Sequence, residues 1–272
     1  VYEVNFTNTI DFATYNITIT AINNYEDLSQ NITDFDIITN TPFLDTYVRS
    51  DTPTSSYGTA TRVMVSSVAT SIRRGLIRFD LSYLPQGVRI DNAVMQLYLA
   101  TYSGTPIYHS IFAVNSTWIN TVTWNTQPGF YSTNWNSSYI SSTGWKYFNI
   151  TNLTQNWYNG TIYNNGLMVK EATEVTAGTN QYRSANAGTL IPTLSINYTD
   201  ITNPEVTNIN TIEETYHLKD NISLKVQVTD NIAVSSVYAN ISWPTGNEII
   251  NLISIGSFQY AANYTNLSYQ GQ

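Results

Sequence analysis

The stretch Arg74-Gly-Leu-Ile-Arg-Phe-Asp-Leu-Ser-Tyr-Leu-Pro-Gln-Gly-Val-Arg-Ile-Asp-Asn-Ala-Val-Met-Gln-Leu-Tyr-Leu99 predicts two β-strands joined by a tight turn. Apolar residues alternate with polar ones from Ile77 to Leu81, and a second alternation runs from Ala93 to Leu99 after the turn Pro85-Gln86-Gly87. A period of two is typical of strands with one buried face. We therefore expect a second sheet to cover this pair, as in a β-sandwich.

The composition favours β-sheet along the whole chain. Only 11% of the 272 residues are charged, and the sequence has 21 Tyr with many Thr, Asn, Ser, Val and Ile. β-Branched and aromatic side chains are enriched in strands. No apolar pattern with the period of a helix lasts longer than about two turns. We predict an all-β protein of one to three domains.

Charge and residue usage exclude several classes of protein. A formal net charge of −8 with 11 scattered Lys and Arg argues against nucleic-acid binding, because a phosphate backbone needs clustered cations. Cysteine is absent, so disulfides and thiolate metal sites are excluded. No apolar run approaches the roughly 18 residues of a membrane span, and no signal-peptide pattern opens the chain. Because the sequence begins at Val1, we interpret it as a processed or excerpted segment.

Glycosylation signals are unusually dense. Asn-X-Ser/Thr occurs at Asn5, Asn16, Asn31, Asn115, Asn136, Asn149, Asn152, Asn159, Asn197, Asn221, Asn240, Asn263 and Asn266. Such sequons are acceptors for N-linked glycans in secreted proteins. The alternative is that a chain rich in Asn and Thr produces them by chance. The low charge favours glycans, because sugars would supply the solubility that charged side chains usually provide. We predict an extracellular, cell-surface glycoprotein.

The chain divides into three parts by its strand patterns: residues 1–40, 41–200 and 203–272. The first part contains three predicted strands, the last of them at Asn31–Ile37, which are too few to close a core alone. The second part is the largest and contains the Arg74–Leu99 pair. It also holds one predicted helix at Thr151–Tyr158, with Thr151 as the capping residue.

Four motifs in the second part give it a family resemblance. They are Asp45-Thr-Tyr-Val, Leu76-Ile-Arg-Phe-Asp-Leu-Ser-Tyr-Leu-Pro, Thr123-Trp-Asn-Thr-Gln-Pro, and Asn156-Trp-Tyr-Asn-Gly followed by Asn165-Gly-Leu-Met-Val-Lys. In this order they resemble the DNRLRE domain, a jelly-roll-like β-sandwich grouped with carbohydrate-binding modules and with disaggregatase-related domains of archaeal surface proteins. The resemblance covers about 160 residues and implies a jelly-roll-like sandwich over 41–200.

The third part resembles the first half of an immunoglobulin-like surface module. Its strands alternate at Ile222–Val228 and again at Val237–Trp243, and only about five strands are present where such a sandwich has about seven. The Tyr2-Glu-Val-Asn-Phe-Thr-Asn8 strand is similar to Tyr260-Ala-Ala-Asn-Tyr-Thr-Asn266. Residues 1–40 therefore resemble the C-terminal strands that the third part lacks.

An incomplete sandwich exposes unpaired backbone groups, so we expect each end to be completed by another copy. Either separate subunits exchange strands, or the chain is one period of a tandem-repeat protein. Both versions give a head-to-tail array. The alternative is that the two ends are accidental truncations or unrelated half-modules.

Candidate sites for chemistry are few. His109 and His217 have no sequence context that ties them to a nucleophile, so we predict structural roles for both and no enzyme activity. Asp45, Asp51 and Asp80 lie near predicted strand ends and are the candidates for a calcium site, the one cofactor that the sequence suggests. Pairing of Asp80 with a nearby arginine is the competing interpretation.

The tryptophans divide into two groups. Trp118, Trp124 and Trp157 fall inside the recurring motifs, and we predict that they pack in the core. Trp135 and Trp145 lie among Asn and Ser, and they are the better candidates for exposed rings that stack on sugars.

Two functions follow from these features. The first is a structural subunit or repeat of a glycosylated extracellular filament or surface layer, whose partners are further copies of itself and its own glycans. The second is a carbohydrate-binding adhesion module whose partner is a polysaccharide.

Overall fold

The computed structural model describes residues 2–7, 14–23, 36–175, 178–210, 222–243 and 246–265. Within them the strands are β1 (Tyr2–Thr7), β2 (Thr14–Asn23), β3 (Asp36–Asn40), β4 (Pro42–Arg49), β5 (Arg62–Val68), β6 (Ser71–Phe79), β7 (Val88–Thr101), β8 (Ile107–Val114), β9 (Phe130–Ile140), β10 (Gly144–Asn149), β11 (Leu167–Glu171), β12 (Thr179–Arg183), β13 (Thr193–Asp200), β14 (Glu205–Asn210), β15 (Ile222–Thr229), β16 (Val234–Trp243), β17 (Gly246–Gly256) and β18 (Gln259–Tyr264). One helix, α1, spans Thr151–Tyr158.

The chain folds as two compact units. The larger consists of Asp34–Leu84 and Arg89–Thr199, and the smaller of Val1–Thr33, Pro85–Val88 and Asp200–Gln272. Each contains one antiparallel sheet that curls, so the predicted all-β sandwich fold class is confirmed. No helix in the described part of the chain is both long and apolar enough to cross a membrane.

The larger unit is built on an eleven-stranded sheet. Its main path runs β3-β13-β7-β12-β5-β6-β11-β8-β9, with β10 added to β7 and β4 added to β6. Residues at alternate positions of β7 from Ala93 to Leu99 are fully buried, as are Ile77 and Phe79 of β6. The two strands of the opening stretch therefore point alternate apolar residues inward, as predicted, but they do not pair with each other, because β12 and β5 lie between them in the sheet. β9 lies at one end of this path and is an edge strand.

A loop covers part of the outer face of this sheet. Between β8 and β9 the chain carries Trp118 and Val122, which pack with Leu76, Phe112 and Met168 in a second apolar cluster. The Trp118 Nε1–H donates a hydrogen bond of 2.8 Å to the Asn165 carbonyl. Trp118 and Trp157 are each 6% exposed, so their predicted core positions are confirmed. Trp124 is only partly buried and packs against the same cluster.

Helix α1 has the predicted boundaries, but its predicted cap is wrong. The residue before the first helical turn is Ile150, and its side chain cannot cap. Thr151 is the first helical residue, and its hydroxyl accepts a hydrogen bond of 2.8 Å from the Ala93 N–H. It also donates to Asn149 Oδ1 at 2.8 Å. Thr151 thus ties the helix to β7.

The smaller unit is built on a seven-stranded sheet in the order β1-β2-β16-β17-β18-β15-β14. Its core takes alternate residues of β15 and β16, among them Val226, Val228, Val237 and Ala239. The apolar residues whose alternation predicted β15 and β16 are therefore the residues that fill the core. An immunoglobulin-like topology for this unit stays a prediction.

The N-terminal strands pair within their own chain. β2 is antiparallel to β16, with residues Asn16 to Asn23 opposite Ser242 to Val234, and β1 pairs with β2. The sequence led us to expect this completion between copies, whereas here one chain supplies both partners. Most of the predicted strand Asn31–Ile37 lies outside the described residues. Its last two residues belong to β3, which pairs with β13 in the larger unit.

His109 lies in the core of the larger unit and is 1% exposed. Its Nδ1 is 2.7 Å from the Tyr182 hydroxyl, and Asn180 Nδ2 is 3.2 Å from its Nε2. Because β8 and β12 are not neighbours in the sheet, these bonds cross the core. Burial lowers the pKa of His109 from 6.5 to about 3 and raises the pKa of Tyr182. The geometry fits the predicted structural role, while His217 lies outside the described residues.

We predict that His109→Gln makes the larger unit less sensitive to acid. The unfolded chain takes up a proton on His109 below about pH 6.5, whereas the folded chain resists protonation down to about pH 3. The contribution of His109 to stability is therefore complete above pH 6.5 and is lost between pH 6.5 and 3. The loss is at most about 1.4 kcal/mol per pH unit.

The measurement is denaturant unfolding of parent and variant at several pH values between 7 and 4. Asp45 titrates in the opposite sense because burial raises its pKa to about 6, so the difference between the two proteins at each pH is the quantity to follow. The stability advantage of the parent should shrink as the pH falls. A difference that stays constant from pH 7 to pH 4 would contradict the prediction.

Candidate functional site

Two exposed tyrosines lie side by side on the edge of the larger sheet. Tyr108 of β8 and Tyr139 of β9 are directly opposite each other in the antiparallel register, and their ring centroids are 5.0 Å apart. The side chains are 57% and 53% exposed. Cross-strand aromatic pairs stabilise a sheet, but that role does not require both rings to face solvent. The pair offers a hydrophobic surface to a ligand.

Hydroxyl and amide groups continue the same face of β8 and β9. Ser110 and Ser137 lie two residues along from the tyrosines, and their Oγ atoms are 2.8 Å apart. Asn134 Nδ2 donates to Ser137 Oγ at 2.8 Å. Ser137 and Asn134 are exposed, whereas Ser110 is only 1% exposed and its hydroxyl contacts Ser137 from beneath the surface. We name Tyr108, Tyr139, Ser110, Ser137 and Asn134 the tyrosine face. Its rings can stack on an apolar surface while its polar atoms bond to ligand hydroxyls.

A cluster of charged groups borders the tyrosine face. Lys170 of β11 is directly opposite Ser110, and its Nζ is 3.8 Å from a Glu174 carboxylate oxygen. Arg74 binds both oxygens of the same carboxylate, at 2.6 and 2.7 Å. Burial lowers the pKa of Lys170, and the Glu174 charge opposes that shift. Arg74, Lys170 and Glu174 form the charged cluster, and one carboxylate serves two cations there.

Aromatic rings lie beneath these cations. The Lys170 Nζ is 5.1 Å from the Phe112 ring centroid, and the Arg74 guanidinium is 4.7 Å from that of Trp124. Cations at this distance from a ring face are attracted to its negative electrostatic potential. Lys170 also donates to the Glu171 and Ala172 carbonyls. The charged cluster is therefore held rigidly next to the tyrosine face.

Strands β7 and β10 of the larger unit carry a second group of aromatic side chains. Trp145 of β10 is opposite Tyr98 of β7, and the two rings meet edge to face at 5.4 Å. Tyr147 follows on β10 and is 57% exposed. Both Trp145 and Trp135 are only half-buried rather than exposed as the sequence suggested, and the Trp135 Nε1 is buried without a hydrogen-bond partner. Only one ring of this group, that of Tyr147, faces solvent freely.

The three predicted calcium ligands each bond to protein groups. Asp45 is buried and accepts from the Ala185 N–H at 2.7 Å. Asp51 forms an ion pair with Arg49, which lowers its pKa. Asp80 accepts from the backbone and hydroxyl of Ser82 and shows no bond to an arginine. Among the described residues no three His, Cys, Asp or Glu side chains are grouped to hold a metal. Calcium at these residues stays a prediction.

Eight of the predicted glycan acceptors have described side chains. Five are exposed and three are half-buried: Asn115, Asn149, Asn152, Asn159 and Asn263 in the first group, and Asn136, Asn197 and Asn240 in the second. None of these eight is buried, so none is barred from carrying a glycan by burial alone. Occupancy of the thirteen sequons stays a prediction.

Sequence reasoning missed the tyrosine face. The chain contains 21 Tyr, and β9 reads Phe-Tyr-Ser-Thr-Asn-Trp-Asn-Ser-Ser-Tyr-Ile without apolar alternation. Only the register of β8 against β9 brings Tyr108 and Tyr139 together. The sequence did contain one signal of a strand here: the polar segment ends in Tyr139-Ile140, and Ile140 is buried in the structure.

Comparison with known families gives one match. Residues 36–198, more than half of the chain, match the sequence model of carbohydrate-binding module family 96. No curated protein matches the chain at a significant level. The matched segment includes the tyrosine face and the charged cluster, and it begins at the first residue of β3.

We predict that Glu174→Gln destabilises the larger unit by about 1–3 kcal/mol, because it leaves two largely buried cations without their shared counter-charge. Denaturant unfolding at pH 7 measures the loss. Asp51→Asn is the matched control, since it also breaks an arginine–carboxylate pair, but at an exposed position where no measurable loss is expected. Equal effects of the two substitutions would contradict the assignment of Glu174 as a buried counter-charge.

Proposed function

Because the chain belongs to carbohydrate-binding module family 96, we propose that it binds a polysaccharide through the tyrosine face. The observation that carries the proposal is the exposed pair of Tyr108 and Tyr139, with ring centroids 5.0 Å apart on an edge strand. Sugar rings present flat patches of C–H groups flanked by hydroxyls. Two adjacent tyrosine rings supply the apolar area, and their hydroxyls remain free to bond.

The neighbouring polar groups complete the argument. Ser137 and Asn134 are exposed beside the rings, and Lys170 of β11 is directly opposite Ser110 in the strand register. A polysaccharide chain lying along β8 and β9 would meet rings first and hydroxyl and amide groups next. Within the described residues β9 pairs with β8 and with no other strand. This geometry suits binding along a chain better than binding of a free monosaccharide.

Binding without catalysis is the form of the function that we propose. A carbohydrate-binding module family is a non-catalytic class, and the tyrosine face holds no pair of carboxylates that could act as acid and base. We further propose an extracellular, cell-surface location, where polysaccharide is encountered and where N-linked glycans would be attached. The low charge of the chain and its accessible sequon asparagines support this location.

We predict that Tyr108→Ala and Tyr139→Ala each weaken binding to the polysaccharide selected by the intact chain on a glycan array. Each loss should be about fivefold to tenfold, equivalent to roughly 1–1.4 kcal/mol for a half-exposed ring that becomes covered. Affinity electrophoresis in gels containing that polysaccharide gives the change. Tyr147→Ala is the matched control, because this tyrosine is as exposed as Tyr108 but lies on β10, which pairs with β7 and not with β8 or β9.

The same series decides between the two aromatic surfaces. If Tyr147→Ala or Trp145→Ala abolishes binding while Tyr108→Ala and Tyr139→Ala do not, the tyrosine face is not the site. If no polysaccharide on the array is retained by the intact chain, the carbohydrate-binding function itself is contradicted.

A second candidate function is head-to-tail assembly into a filament or surface layer. One observation favours it: β2 covers the edge of β16 over eight residues of its own chain, so the N-terminal hairpin and the third part of the chain are complementary. Strands that pair within a chain can pair in the same register between chains when the connecting segment opens. The immunoglobulin-like character of the flanks and the DNRLRE relationship of the middle part belong to this same proposal.

We predict that the intact chain forms oligomers after the smaller unit has been melted and recooled at high protein concentration, because neighbouring chains then compete for β16. Light scattering should give multiples of 30.5 kDa. A variant with Thr18→Cys and Asn240→Cys, which are opposite each other, should stay monomeric once its disulfide has formed, since the chain has no other cysteine. Oligomers that form equally in both proteins, or in neither, would contradict strand exchange.

A further inference from the structure

A buried and a half-buried carboxylate of the smaller unit lie together. Asp200 is the last residue of β13 and is only 4% exposed, and Asp230 follows β15. The two carboxylates act on each other, because the pKa of Asp230 is raised by burial, by repulsion from the Asp200 charge and by a side-chain hydrogen bond with Asp200. Two acidic groups that are both partly desolvated and close together disfavour each other's charged form. A compensating cation would remove that repulsion.

Apart from its contact with the other carboxylate, each of the two has one buried oxygen without a hydrogen-bond partner. Asp200 Oδ1 accepts from the Thr202 N–H at 2.9 Å and from the Thr202 hydroxyl at 2.6 Å, whereas Asp200 Oδ2 is buried and has no hydrogen bond. Asp230 Oδ2 accepts from the N–H groups of Ile232 and Ala233, whereas Asp230 Oδ1 is buried and has none. Buried oxygen atoms are rarely left unpaired, so each of these two requires a cause.

Neutral oxygen atoms surround the pair. Asn231 Nδ2 donates to the Gln86 carbonyl at 2.7 Å and to Asp200 Oδ1 at 3.2 Å. The Thr202 hydroxyl also contacts Asn231 Oδ1. One amide oxygen, one hydroxyl and one backbone carbonyl therefore lie in the same hydrogen-bonded group as the two carboxylates.

The backbone that carries these oxygens is held in place. The Ile201 N–H donates to the Gly87 carbonyl at 3.0 Å. Gly87 has a φ of 74°, and a Cβ atom there would lie 2.7 Å from the Thr202 methyl carbon. Only glycine allows so close an approach in this conformation. The turn with Gln86 is thus fixed against Asp200 and Thr202, and the oxygen atoms are preorganised.

We propose that Asp200 Oδ2 and Asp230 Oδ1 bind a calcium ion, with further oxygens from Gln86 and Asn231. Calcium accepts a mixture of carboxylate, amide and backbone oxygens in an irregular arrangement, whereas magnesium demands a near-ideal octahedron. The set differs from the three aspartates that the sequence suggested and does not depend on the polysaccharide-binding function. Sequence spacing gave no sign of it, because the two aspartates are 30 positions apart and meet only in the folded chain.

The first test is calorimetric titration of the intact, chelator-treated chain with calcium chloride at pH 7. We expect one strong site per chain with a Kd on the order of 10⁻⁴ M, in the range of extracellular calcium modules. The temperature of unfolding of the smaller unit should rise with calcium and return to its starting value in chelator. Magnesium chloride at the same concentrations should bind more weakly. No heat and no thermal shift up to roughly 10 mM calcium would overturn the proposal.

Variants give a second test, because the change that they cause in the unfolding temperature should reverse its sign between chelator and calcium. In chelator, Asp200→Asn and Asp230→Asn should unfold at the same temperature as the parent or higher, because each removes like-charge repulsion. In calcium, both should unfold below the parent and bind calcium at least about tenfold more weakly. Asp51→Asn and Asp80→Asn are the controls and should bind calcium like the parent. The proposal fails if Asp230→Asn keeps the calcium affinity, or if the variants stay above the parent in both conditions.

Discussion

The indole N–H of Trp118 bonds to the Asn165 carbonyl at 2.8 Å, and the surface of the larger unit depends on the packing that this bond fixes. The loop that contains Trp118 lies over Leu76, Phe112 and Met168 and buries the outer side of the central strands. The sheet is then covered on its inner side by the sandwich core and on part of its outer side by the loop. The loop leaves Tyr108 of β8 and Tyr139 of β9 exposed, so the tyrosine face lies beside the covered part of the sheet.

Burial and exposure divide the polar residues of the larger unit into two sets. His109, Asp45 and Lys170 are almost fully buried and each bonds to backbone or side-chain partners, so they belong to the scaffold. The tyrosine face lies on the same sheet as this scaffold, and most of its residues are open to solvent. A binding surface on a rigid sheet loses little conformational entropy when a ligand binds. That rigidity is consistent with membership of a family of binding modules and needs no moving lid.

The sequence predicted the strands that bury one face and failed on those that do not. Helix α1 has the predicted boundaries, and β15 and β16 contain the predicted alternations, because a buried face imposes a period that can be read directly. β9 and β12 were missed. β9 is an edge strand with mostly exposed side chains, and β12 buries Asn180 beside Tyr182, so neither presents an apolar period. The tyrosine face needs the register of a missed strand, which is why it was not predicted. The similar strands that begin at Tyr2 and Tyr260 do not compete for one position, because β1 and β18 occupy different places in the same seven-stranded sheet.

The tyrosine face can be tested most directly by NMR of the intact chain with isotope-labelled tyrosine rings, titrated with an oligosaccharide of the polysaccharide that it retains. Assignment of the Tyr98, Tyr108, Tyr139 and Tyr147 rings by substitution is sufficient. If the tyrosine face is the binding surface, the ring signals of Tyr108 and Tyr139 shift together with one saturation curve, and the signals of Tyr147 do not move. Shifts confined to Tyr147 and its neighbour Tyr98, with Tyr108 and Tyr139 unchanged at saturation, would contradict it.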